Sequence, residues 1–244
     1  MTVQSATRVV MVGHGERGGA RDDDSLKRAA RRGADALAPV HVRAAILSEP
    51  ETVADALAGD WARLVVYPWF LSDGFFVTDK LPKAIADAWP RGRPGRPDIT
   101  PPLGFDPALP DVISDAAAQV VSSDTGALNM VLIAHGSARS NRSELSARGL
   151  VQAIAKRNRF RTVSVGFLEQ EPFAEAVVRQ TPGPMVLVGL FLGAGLHGGE
   201  DFARLVAQAG SALVGRFGLA ELDAITDMAI ARIRCAVEKG GGDD

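Results

Sequence analysis

The heptapeptide VVMVGHG (Val9 to Gly15) returns later in the chain as MVLIAHG (Met130 to Gly136), so His14 and His135 stand 121 positions apart (135 − 14). The same offset carries VVYPWFLSDG (Val65 to Gly74) onto VLVGLFLGAG (Val186 to Gly195), and VRAAILSEPE (Val42 to Glu51) onto VSVGFLEQEP (Val163 to Pro172). Three blocks at one offset identify a duplicated unit of about half the chain. The 244 residues therefore divide into two similar halves, 1–123 and 124–244, with VSSDTGA (Val121 to Ala127) as the expected boundary.

Each half alternates strand and helix. RVVMVG, HVRAAIL and RLVVYPWFL in the first half, and NMVLIAH, TVSVGFLE and PMVLVGLFL in the second, are short runs rich in apolar and β-branched residues. That is the pattern of strands buried on both faces. Between them, DDDSLKRAARRGADALA and ETVADALAGDWA, then NRSELSARGLVQAIAKR and EPFAEAVVRQ, carry helical spacing. RGRPGRPDITPPLGFDPALP reads as a connector with one short strand. The fold class that follows is α/β: two similar lobes, each a parallel sheet flanked by helices, joined by right-handed crossovers.

Composition narrows the function. With 46% hydrophobic and 23% charged residues the chain can bury an ordinary core. A net charge of −2 provides no basic field for nucleic acid. No apolar run is long enough to span a bilayer. The segment MTVQSATRVVMVG lacks the basic start, apolar stretch and cleavage site of a signal peptide, so the cytoplasm is the expected location. The single cysteine, Cys235, excludes an internal disulfide framework or CxxC motif, and reads as a small apolar residue on a helix.

In parallel sheets, ligands bind beyond the carboxyl ends of the strands. In the second half those ends carry His135 after NMVLIA, Glu169 after TVSVGFL, and His197 in a glycine loop after PMVLVGLFL. Two imidazoles and a carboxylate can bind a divalent transition metal, and a neutral histidine can take up protons. Glu171 shares the strand parity of Glu169 and is the alternative carboxylate. The matching positions in the first half are His14, Ser48 and Phe76, so the second half alone keeps the full set and is the expected active lobe. His41 opens a strand at the opposite end and reads as structural.

The runs AHGSARSN, GFLEQEP and VGLFLGAGLHGGED resemble, in order and on a matching duplication, the class II tetrapyrrole chelatases of the CbiX/SirB sirohydrochlorin type. The resemblance covers nearly the whole chain. It implies insertion of Co2+ or Fe2+, with Ni2+ equally compatible with the donors, into sirohydrochlorin without ATP, for cobalamin or sirohaem. His135, Glu169 and His197 would be the metal ligands and proton acceptors. The metal is then substrate, no cofactor is permanently bound, and the two fused lobes suggest a monomer.

Such a substrate is flat and rich in carboxylates. Arg139 and Arg142 in HGSARSNR, Arg17 in HGERGGAR, and backbone N–H groups at the start of the helix after His197 are candidate anion contacts, with His14 beside them. Gly198 and Gly199 replace Val77 and Thr78 of the first half, removing bulk where a macrocycle would approach the backbone.

Two other readings use the same residues. HGSARSN partly matches the RHGxxxxN pattern of histidine phosphatases, but Ala134 and Gly13 stand where that pattern needs an arginine. The nucleophile elbow GxSxG of α/β-hydrolases does not occur. A metal or tetrapyrrole carrier without turnover is the non-enzymatic alternative.

Overall fold

The computed structural model describes residues 7–15, 24–121, 124–137, 141–193 and 200–239. The first half forms β1 (Thr7–Gly13), α1 (Asp24–Ala36), β2 (His41–Ile46), α2 (Pro50–Leu57), β3 (Arg63–Pro68), α3 (Leu81–Ala88), the short β4 (Asp98–Ile99) and α4 (Leu109–Val120). The second forms β5 (Asn129–Ala134), α5 (Arg142–Ala155), β6 (Thr162–Phe167), α6 (Ala174–Gln180), β7 (Met185–Gly189), α7 (Phe202–Ala209), β8 (Leu213–Gly218) and α8 (Asp223–Lys239). Helices α2, α3 and α4 each open with proline in the first turn, where its missing N–H costs nothing.

The strands make two four-stranded parallel sheets of the same topology, β2-β1-β3-β4 and β6-β5-β7-β8. The 121-residue offset is kept in the register. Val9 pairs with Val42 and Val65, and Met130 pairs with Val163 and Val186. It is also kept in the cores. Val10, Val12, Leu64 and Val66 pack under α2 and α3 through Val53, Leu57 and Leu81. Their counterparts Val131, Ile133, Met185 and Leu187 pack under α6 and α7 through Ala174, Val178 and Phe202. Each such fully buried aliphatic side chain contributes about 1.5–3 kcal/mol. Shared register places His14 and His135 just beyond the carboxyl ends of the central strands β1 and β5.

The compact units do not follow the sequence halves 1–123 and 124–244. One unit is Met1–Asp106 with Thr226–Asp244, and the other is Pro107–Ile225. The terminal helices of the two halves are exchanged. Gly215 of β8 leaves room for Val120 and Val121 at the end of α4, and Asp111 and Asp115 of α4 ion-pair with Arg157 and Arg159 after α5. In the other unit, Arg63 of β3 donates to the carbonyls of Ala236 and Val237 in α8, and Arg32 of α1 pairs with Asp227. These links lie between chain segments remote in sequence, so a boundary read from composition does not register them.

Cys235 lies on α8 as expected, but exposed. Its neighbour Ile233 takes the buried stripe of the helix. His41 begins β2 at the amino end of the sheet, against the ring of Trp61. Among the described residues, no helix is long and apolar enough to cross a membrane.

Candidate active site

Beyond β5 and β6 the ladder of backbone bonds continues for two more residues. Leu168 N–H donates to Ala134 O and Glu169 N–H to His135 O, both at 3.0 Å. The first unit repeats this with Leu47 to Gly13 and Ser48 to His14. The sheet therefore continues through the residues that end each strand, and it sets position 135 beside position 169.

Their side chains meet. His135 Nε2 lies 3.5 Å from Glu169 Oε1, with the two side chains 42% and 49% exposed, while Nδ1 is turned into the protein and buried. The outward nitrogen is thus the one facing the carboxylate. Two donors each about 2.1 Å from a common ion at a tetrahedral angle stand about 3.4 Å apart, so this separation suits a shared divalent metal. A neutral imidazole with an exposed Nε2 can equally accept a proton at neutral pH.

The turn after His135 is set by Gly136, whose φ is +79°. A Cβ there would come within 2.9 Å of Gln170 Cγ and 3.1 Å of Phe167 Cβ. Its counterpart Gly15 has φ +90°. Gln170 closes the turn from the other side. Its Oε1 accepts from Ser137 N–H at 2.6 Å, and its Nε2 donates to Glu144 Oε2 at 2.8 Å. Arg148 Nε donates to Glu144 Oε1 at 2.7 Å and holds the Glu144 carboxyl below the usual carboxylate range, with the Gln170 bond adding to this.

The corresponding corner of the first unit is built differently. His14 Nδ1 lies 2.7 Å from Gly15 O. The ring of Phe76, 121 positions before His197, meets the His14 ring edge-on with centroids 3.9 Å apart. Phe70 stacks parallel to Phe76 at 6.4 Å, and Phe75 lies 6.0 Å from it. An apolar ring occupies the space beside this histidine, and Ser48 supplies no carboxylate.

Of the sequence candidates, His135 and Glu169 are brought together, His14 stands at the matching place in the other unit, and Arg142 is the exposed first residue of α5. His197, Gly198, Gly199, Arg139 and Arg17 lie outside the described residues. Among the described residues no group of three or more ligating side chains converges. The helix expected to offer N–H groups to an anion is α7. Residues 200 and 201 are already helical and lead into it, so its first turn adjoins residues outside the described ones; Asp201 pairs with Arg204 at 2.9 Å. A cavity of about 180 Å3 opens beside Glu169, with Phe173, Glu175, Asp201 and Arg204 among its walls. Phe76 stood out in the sequence as the counterpart of His197, whereas Gln170 carried no signal there, because it acts through contacts that only the folded loops create.

The family model CbiX matches residues 8–120 and 129–221, which takes in both sheets and both histidine corners. The chain belongs to the CbiX family. None of the curated proteins matches it in sequence. Among solved structures, it is similar to CbiX, the terminal enzyme for biosynthesis of siroheme in denitrifying bacteria. That match has a TM-score of 0.79 and 27% identity, over 94% of this chain and 99% of that one. It is also similar to SirB from Bacillus subtilis with Fe3+, with TM-score 0.77, 16% identity, and 98% and 99% of the two chains covered. SirB from Bacillus subtilis subspecies spizizenii, in complex with cobalt, gives 0.71, 15%, and 98% of each chain. At those identities the SirB structures bear on the fold: the CbiX arrangement of two duplicated α/β units is shared across the whole chain.

Proposed function

We propose that this CbiX-family protein is a sirohydrochlorin chelatase. It inserts a divalent metal ion, Co2+ or Fe2+, into the carboxylated tetrapyrrole without ATP, as a cytoplasmic monomer serving sirohaem or cobalamin synthesis. Ni2+ is a third ion the donors would accept. The observation that carries the reading is the His135–Glu169 pair at 3.5 Å, at the carboxyl edge of a sheet in a chain matched by the CbiX model on both halves.

The reaction exchanges two pyrrole N–H protons for one metal ion, so the site must hold the ion loosely, release it, and accept protons. In our reading His135 and Glu169, with His197 as third donor, hold the incoming metal. Few ligands favour transfer, since a closed four-ligand cage would retain the ion. His135 Nε2, once free of metal, is placed to take a pyrrole proton, and Glu169 offsets part of the ion's charge. Arg142, with Arg139 and Arg17, would pair with substrate carboxylates, and Gly198 and Gly199 would let the macrocycle approach the backbone. The second unit is the working one, because the first offers His14 with Phe76 and Ser48 in place of two donors.

An anaerobic assay with sirohydrochlorin and Co2+ or Fe2+ tests this. The absorption of the metallated ring should grow faster than in the uncatalysed mixture, and His197→Ala should lose that acceleration. Tight binding of ring and metal with no acceleration would identify a carrier instead. Release of phosphate from a small phosphomonoester would point to the histidine phosphatase reading.

A further inference from the structure

Two loops have to be held together for the pair at His135 and Glu169 to persist. The backbone bond from Glu169 N–H to His135 O ties them along the ladder, but it leaves the turn beyond His135 free to pivot about Gly136. Gln170, the residue after Glu169, makes the second tie by accepting from Ser137 N–H. Its carboxamide cannot turn over without loss: the oxygen faces an N–H, the amide nitrogen faces a carboxylate, and a flip would set like against like at both ends. Glu144, anchored by Arg148 one helical turn along α5, is what fixes that orientation.

We propose that Gln170 is a positioning residue of the metal site: its carboxamide, oriented by Glu144, clamps the turn carrying His135 to the loop carrying Glu169 and holds the two donors at ion-bridging separation. The inference rests on the reading of His135 and Glu169 as metal donors. Gln170 touches neither metal nor ring. It acts through the two residues beside it, as groups that orient metal ligands do, and their loss typically weakens metal binding by about 10–100-fold. The first half has Glu49 at the equivalent position, in the half that also lacks the carboxylate at Ser48.

Co2+ alone, followed by titration calorimetry and by the visible absorption of the bound ion, tests the clamp on the whole chain. Gln170→Leu should weaken Co2+ binding by about tenfold or more and alter the absorption band, with little change in melting temperature. Gln170→Glu should also weaken binding, because its carboxylate meets that of Glu144. Charge alone predicts the opposite, since a carboxylate added beside Glu169 would tighten the hold on a cation. The reciprocal variant Q170E/E144Q restores one donor facing one acceptor across the same gap and should recover most of the loss. In the insertion assay, KM for metal should rise in Q170L while KM for the tetrapyrrole stays unchanged.

Tighter Co2+ binding by Q170E, wild-type affinity in Q170L, or no recovery in Q170E/E144Q would each overturn the clamp. If Q170L fails to fold, the reciprocal pair decides. His135→Ala and Glu169→Gln separate the two levels: if they bind Co2+ as wild type does, the donors lie elsewhere and the site reading falls together with the clamp. If they lose Co2+ while Q170L keeps it, the clamp alone falls.

Discussion

The His14 ring is met edge-on by Phe76 at 3.9 Å, and these two positions correspond, 121 residues on, to His135 and His197. One duplicated corner has thus kept its histidine and filled the neighbouring space with an aromatic ring. The consequence is testable by construction. Phe76→His together with Ser48→Glu should give the first unit a donor set like that of the second. Equilibrium dialysis should then find two Co2+ per chain where the wild type binds one, and F76H alone should leave the stoichiometry unchanged.

His135 and Glu169 face each other with the outward imidazole nitrogen nearest the carboxylate. His135→Ala and Glu169→Gln should each slow metal insertion by about 100-fold or more, the usual cost of removing a positioned proton acceptor or donor group. His14→Ala should retain most of the rate. Initial rates of ring metallation check this, and the reverse order of effects would move the active site to the first unit.

Gly136 and Gly15 occupy the same left-handed turn in the two halves. Gly136→Ala and Gly15→Ala should each cost about 1–3 kcal/mol in chemical denaturation, the scale of a strained backbone conformation. Only Gly136→Ala should also reduce insertion, because its added Cβ would press on Gln170 at 2.9 Å.

Tyr67, in β3, is fully buried, and its hydroxyl has no hydrogen-bond partner among the described residues. Burial pushes the phenol upward, with Asp106 adding to the effect. The neutral phenol is therefore favoured in the fold. Its contribution is fully present below the unfolded value near ~10 and is lost as pH rises through the higher folded value. Tyr67→Phe should match or slightly exceed wild-type stability at neutral pH. Its advantage in melting temperature should widen above about pH 10.

Much of this architecture was legible because strands leave a local record. VVMVGHG and MVLIAHG announce both their burial and their correspondence, and the pairings of Val9 and Met130 follow the offset read from the sequence. The corner residues were legible too, as His135 and Glu169 interrupt apolar runs where a core offers no place for them. What the sequence concealed depends on partners remote along the chain. β8 and α3 did not stand out, and α4 gives no hint that Asp111 and Asp115 will meet Arg157 and Arg159. Gln170 reads as one polar loop residue among several until Ser137 and Glu144 close on it.

The exchange of terminal helices has a consequence in time. The unit Pro107–Ile225 is one continuous stretch, whereas the other needs Thr226 and the residues after it to join Met1–Asp106. During synthesis from the amino terminus, the unit begun first is the one completed last. Until α8 emerges, Arg63 has no helix carbonyls to hold, and the sheet of β1 to β4 waits with one of its layers missing while its duplicate is already closed. A nascent chain held with residue 225 just clear of the ribosome, and α8 still inside it, would therefore display a finished second unit and an open first one.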